Sequence, residues 1–172
     1  MPAWRTLMAG FTRGVGKASA WLILFMVLLT FLVVSLRYGL NEGWVWMQES
    51  VTYMHATVFM LAAAWTWQVD GHVRVDIFYR KRTPRGKALV DLVGIVLFVI
   101  PVSVYLVWVS WDYVAASWRM FEDSSQAGGL PFVYLLKSLV VALPVLLLMQ
   151  AVCALAENID VIRGAGPDQA PA

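Results

Sequence analysis

Four apolar runs, at residues 18–36, 50–69, 88–108 and 131–155, constrain this chain more than any other feature. Each has about the ~20 residues that a helix needs to cross a ~30 Å hydrocarbon layer at ~1.5 Å per residue. In lipid only helices and closed barrels satisfy the backbone internally, and unbroken runs of this length exceed barrel strands. The pattern predicts an all-α integral membrane protein with four transmembrane helices. It forms one membrane domain over 1–163, followed by a short cytoplasmic tail, 164–172, whose prolines and small residues predict disorder. Composition agrees: 60% of the 172 residues are hydrophobic and 14% charged, more apolar surface than a water-soluble core of this size hides.

Basic residues set the orientation. Arg5, Arg13 and Lys17 precede the first run, and Arg74, Arg80, Lys81, Arg82, Arg85 and Lys87 crowd the second connection, whereas the other two connections offer Arg37 and Arg119. Cytoplasmic loops collect Lys and Arg, so both termini are expected in the cytoplasm. Trp21, Trp65, Trp67 and Tyr79 then fall at the inner boundary, and Tyr38, Trp44, Trp46, Trp108, Trp111, Tyr113 and Tyr134 at or near the outer one, as interfacial aromatics should. The N-terminal charges resemble a secretory signal, but the apolar run is long and lacks a small-x-small cleavage pattern, which predicts a retained helix. Trp4, Leu7, Met8 and Phe11 keep helical spacing, which predicts a short interfacial helix before the first span. Thr83-Pro84 reads as the N-cap and first turn of the third helix. That helix is expected to continue past Trp111 and Trp118 toward Gly128-Gly129, with Pro131 opening the fourth. Pro101 and Pro144 should bend the third and fourth helices.

Several function classes fall away. A net charge of +2, with cations confined to short segments, gives no stripe for nucleic acid. The single cysteine, Cys153, excludes an intrachain disulfide and two-thiol redox chemistry. Ionisable residues in or beside the apolar runs are the functional candidates: Glu49, His55, Asp91 and Lys137. Glu49 opens the second helix and is expected to pair with Arg37, which closes the first at similar depth. His55 shares a face with Gln48 and reads as a packing residue; His72 lies ~25 Å further along, too far for both to hold one haem iron. Asp91 has Lys87 four residues before it, and Lys137 is within snorkelling reach of the outer interface. Ala56, Ala62, Ala63 and Ala64 would let another helix approach the second. With no zinc-ligand cluster, phosphate loop or nucleophile elbow, no catalytic, cofactor or metal residue is expected, and an independent enzyme or pump is not supported. The candidate partner-interface or structural residues are Arg37, Trp46, Glu49, Tyr53, His72, Asp76 and Lys137.

Between about residues 36 and 155 the chain resembles the small membrane subunit, DctQ-like, of the tripartite ATP-independent periplasmic (TRAP) transporters. Arg37, Trp46, Gln48-Glu49 and Tyr53 are similar to the element opening that family's second helix, and Gly71-His72-Val73 with Asp76 to its next loop. Gln48 stands where many relatives carry a second acid. Ser117-Trp118, Glu122, Ser124, Gly128-Gly129-Leu130-Pro131 and Lys137 are similar to a branch associated with 2-oxo and other organic acids. The resemblance implies a three-part system in a bacterial inner membrane. A periplasmic solute-binding protein delivers substrate, a large membrane subunit carries the substrate and coupling-ion sites, usually for Na⁺, and this chain is the accessory scaffold bound to the large subunit. Its other partner would be membrane lipid, with no cofactor. The competing readings are a membrane anchor of a haem-containing redox enzyme, with His55 as one ligand and the other from a second chain, and the small subunit of a tripartite tricarboxylate transporter.

Overall fold

A computed structural model describes residues 3–73, 79 and 81–164. Four long helices make up the described chain, with no strand among the described residues. Helix α1 spans Ala3–Leu40, α2 Val45–Gln68, α3 Pro84–Met120 and α4 Val133–Ile162. By length and composition α1, α3 and α4 are apolar enough to cross a membrane. Helix α2, with 24 residues, is ~36 Å long, but Gln48, Glu49, Thr52, His55 and Gln68 make it less apolar than the others.

The separate interfacial helix expected at the N-terminus is absent: Ala3–Ser35 is one uninterrupted helix. The reason lies in packing. Thr12, Gly16 and Ser19 are buried, and a Cβ at Gly16 would sit 2.5 Å from the Trp65 Cβ, so the N-terminal half of α1 lies tightly on α2. At its start the Arg5 guanidinium meets Asp160 near the end of α4 at 2.5 Å. The basic segment is thus part of the bundle.

Helix α4 touches the other three helices, α1 packs chiefly on α2, and α3 packs on α4. The α3–α4 seam is made mostly of small residues. Ala88, Ile95, Ser103, Ser110 and Ser117 are the buried positions of α3, seven residues apart except for one eight-residue step. The extra residue is absorbed by a π turn at Ile95–Val99, which ends with the Ile100 N–H bonded to the Ile95 carbonyl. It lies just before Pro101, which has no N–H to continue an α-helical ladder. One wide turn therefore keeps a single face of α3 on α4 along both halves.

Local sequence explains the ends. The Thr83 hydroxyl caps α3 by accepting from the Gly86 N–H, with Pro84 next, as predicted. Helix α2 closes with Asp70 in the left-handed region, its N–H bonded to the Trp67 carbonyl and that of Gly71 to Thr66. Helix α3 ends in the same way, with Phe121 at φ 46° and the Glu122 N–H on the Ser117 carbonyl. It stops before Gly128-Gly129, and α4 starts after Pro131 rather than on it. Residues 165–172, most of the predicted tail, lie outside the described residues.

The interior is built from small side chains and the surface from large ones. Ala64, Ala151, Ser117 and Thr12 are at most 1% exposed, whereas Trp21, Phe31, Phe98 and Trp108 are each two-thirds exposed or more. Water would not tolerate such a distribution over whole helix faces; lipid does.

Candidate functional site

Among the described residues, the densest polar constellation lies where residues 121–132, between α3 and α4, fold over the first turns of α2. Glu49 is its centre. One carboxylate oxygen accepts from the Ser124 hydroxyl, and the other from the Leu130 backbone N–H at 2.7 Å. Ser124 also fastens its own loop: its N–H donates to the Leu130 carbonyl at 3.2 Å, and its Oγ accepts from the Gln126 N–H at 3.1 Å. Gly129 permits this closure. A Cβ there would lie 2.4 Å from Ser124 Oγ and 2.7 Å from Glu49 Oε2, so a side chain at 129 and the clamp cannot coexist unchanged.

A second contact locks the same loop to α4. The Lys137 ammonium donates to the Glu122 carboxylate at 2.5 Å and stands 4.2 Å from the centre of the Tyr113 ring. The Glu122 carbonyl accepts from the Val133 N–H, joining the loop to the first residue of α4. Trp118 packs edge-on against Tyr134 at 4.8 Å and donates its indole N–H to Ser138 at 2.7 Å. These bonds favour the ionised form of both carboxylates: the Ser124 hydroxyl and then the Leu130 N–H lower the Glu49 pKa, and Lys137 lowers that of Glu122.

The predicted residues distribute unevenly around this clamp. Glu49 and Lys137 are in it, and Tyr53 lies one turn along α2 from Glu49, its buried hydroxyl without a hydrogen-bond partner among the described residues. Arg37 is exposed on the π turn closing α1, and the expected Arg37–Glu49 pair does not form. Gly129 brings neutral donors onto Glu49 instead, and they occupy both of its oxygens. Trp46, in the first turn of α2, is 45% exposed. His72 lies at the opposite end of the molecule, its Nε2 3.1 Å from the Ala63 carbonyl oxygen. Beside it Asp91 accepts from the Tyr79 hydroxyl at 2.6 Å, and Lys87 stands over the Tyr79 ring rather than on Asp91. His72 and Asp91 share the wall of an open groove of about 680 Å³ between α3 and α4. Asp76 falls outside the described residues.

Reading from the residues one by one missed the partners of Glu49, because a backbone N–H and a serine 75 positions away carry no charge signal. Their trace in the sequence was the cluster Glu122, Ser124, Gly128-Gly129-Leu130-Pro131 and Lys137, whose Ser124 and Leu130 meet Glu49 while Lys137 holds Glu122.

Comparison with known proteins adds one finding of identity. The family model for the DctQ component of tripartite ATP-independent periplasmic transporters matches residues 26–161, and the chain belongs to that family. No curated protein and no solved structure matches it. Family membership makes the chain a transporter component and sets aside the haem-anchor and tricarboxylate-transporter readings.

Proposed function

We propose that this chain is the small scaffold subunit of a TRAP importer of organic acids, 2-oxo acids among them, and that it carries neither the substrate site nor the coupling-ion site. The observation that carries this reading is the clamp: the carboxylates of Glu49 and Glu122 and the Lys137 ammonium are all engaged in fastening a loop to two helices. Groups so engaged hold shape; a transport site needs groups that bind and release. In this reading all four helices span a bacterial inner membrane with both termini in the cytoplasm, the clamp faces the periplasm, and the chain binds a large membrane subunit that works with a solute-binding protein and Na⁺. The candidate residues Arg37, Trp46, Tyr53, His72 and Asp76 serve docking or internal structure.

Reconstitution tests the function. Large subunit, binding protein and this chain in vesicles should take up organic acid in response to a Na⁺ gradient; omitting this chain should abolish uptake, and this chain alone should give none. Uptake by this chain alone overturns the proposal. For orientation, Asn41→Cys and Gln126→Cys in a Cys153→Ser background should react with an impermeant thiol reagent added to whole cells, and Arg82→Cys should not.

A further inference from the structure

Helix α2 exposes polar side chains along one face in its first half. Its neighbours α1 and α4 cover two sides, and the uncovered side is the row Gln48, Thr52, His55 and Phe59. Steps of four, three and four residues place these side chains on one stripe. The first three are polar and exposed, and Phe59 is 72% exposed. The stripe continues at Ala62 and Thr66, small side chains that keep the surface low, the Thr66 hydroxyl being turned back onto the Ala62 carbonyl.

Position along the helix decides what covers this face. His55 is ten residues past Val45, ~15 Å inside from the start of α2. Its ring meets the Phe59 ring at 6.3 Å, and neither its nitrogens nor the Gln48 amide have a hydrogen-bond partner among the described residues. Thr52 bonds back to the Gln48 carbonyl. Gln48 precedes the apolar run and lies at the outer boundary, but an imidazole turned toward acyl chains forfeits water's hydrogen bonds with nothing in exchange. On α1 and α3 the exposed residues within the apolar runs are mostly large and apolar, among them Leu28, Phe31, Leu97 and Phe98, which suit lipid.

We infer that the Gln48–Thr52–His55–Phe59 stripe is the docking face for a transmembrane helix of the large subunit, one that offers hydrogen-bonding groups beside Gln48 and His55 and close backbone approach beside Ala62. The inference rests on the scaffold reading above and adds to it which face is used. Lipid covers the outer sides of α1 and α3, and the stripe is covered by protein.

Photo-crosslinking in the assembled complex tests it. Thr52→benzoylphenylalanine and Phe59→benzoylphenylalanine should each give an adduct of this chain with the large subunit, whereas Leu28→benzoylphenylalanine and Leu97→benzoylphenylalanine should not. Adducts from positions 28 or 97 with none from 52 or 59, in complexes that still co-purify, overturn the face and leave the scaffold reading standing. Adducts from 52 or 59 that join two copies of this chain overturn it in favour of self-association. Failure of the unaltered chain to co-purify with the large subunit overturns both readings. The sign of a substitution provides a second measure: His55→Leu should weaken co-purification roughly three- to tenfold. A lipid-facing stripe would leave assembly unchanged or improve it, and that result also overturns the inference.

Discussion

The two ends of this molecule are fastened by different means. At the end carrying residues 121–132, one carboxylate on α2 meets a hydroxyl and a backbone N–H from a loop 75 and 81 residues away, and a lysine on α4 meets a second carboxylate from the same loop. At the end carrying the termini, separate contacts join elements two at a time: Arg5 with Asp160, Tyr79 with Asp91, and His72 with the Ala63 carbonyl. The first arrangement is interlocked, because Ser124 is bonded at once to Glu49, Gln126 and Leu130. At the second end the contacts named join different pairs of elements, and Tyr79 meets both Asp91 and Lys87 of α3. The first end shows that a bundle with little large apolar packing between helices can gain rigidity through polar bonds that share members.

The strongest test of that contrast is Gly129→Ala. Its methyl group would have to displace Ser124 Oγ and Glu49 Oε2, so overpacking of about 1–3 kcal/mol adds to the opening of the clamp. Thermal unfolding in detergent should show the largest loss here; an unchanged melting point would mean that the loop does not close on Glu49. Acidification should come next. Glu49 and Glu122 both have lowered folded pKa values, so the stability they contribute is present above the usual carboxylate range and is lost as pH falls through the folded values. Hydrogen exchange in segment 121–132 should then lose protection before segment 3–20 does, and equal loss in both would erase the distinction between the ends.

Glu49→Gln should do less than acid, because it leaves the Glu122–Lys137 tie and one acceptor oxygen in place. Its expected effect is a lowered melting point with the fold retained, and no change would refute the central position of Glu49. Arg5→Gln, at the other end, removes an ion pair whose side chains are 14% and 40% exposed and should cost no more than about 1 kcal/mol. A larger loss than from Glu49→Gln would invert the comparison. Phe121→Gly should be nearly silent. It relieves a left-handed residue, about 1–2 kcal/mol, and forfeits one ring contact with Tyr134, about 0.5–1.5 kcal/mol.

The helices were legible because apolar length and cap chemistry are local. Thr83-Pro84 announced its turn, and each run falls on a helix, although α1 and α3 extend more than ten residues beyond their runs while α2 ends one residue before its run does. The end of α3 was less visible: nothing in Phe121 advertises a left-handed residue, which is set by the bonds of Glu122 and by the ring of Tyr134. At the site, Glu49 and Lys137 were found because ionisable groups near lipid stand out. Their partnership was not, because charge matching pointed to Arg37 while the real donors are an uncharged hydroxyl and a peptide N–H brought close by a glycine. The N-terminal amphipathic spacing misled for a related reason: Trp4, Leu7 and Phe11 are exposed as an interfacial helix requires, but Thr12 and Gly16 on the other side of the turn are buried.

The placement of small side chains inside and large ones outside has a calorimetric consequence. Separating these helices within a detergent micelle or bilayer moves Ala64, Ala151 and the serines of α3 from protein to hydrocarbon and brings little apolar area to water. The heat-capacity increment that accompanies unfolding of a water-soluble domain, about 12–15 cal/mol/K per residue, arises from that hydration. Here it should be a small fraction of this value, so the stability curve is flat, cold denaturation is out of reach, and the choice of amphiphile shifts the melting point more than temperature history does.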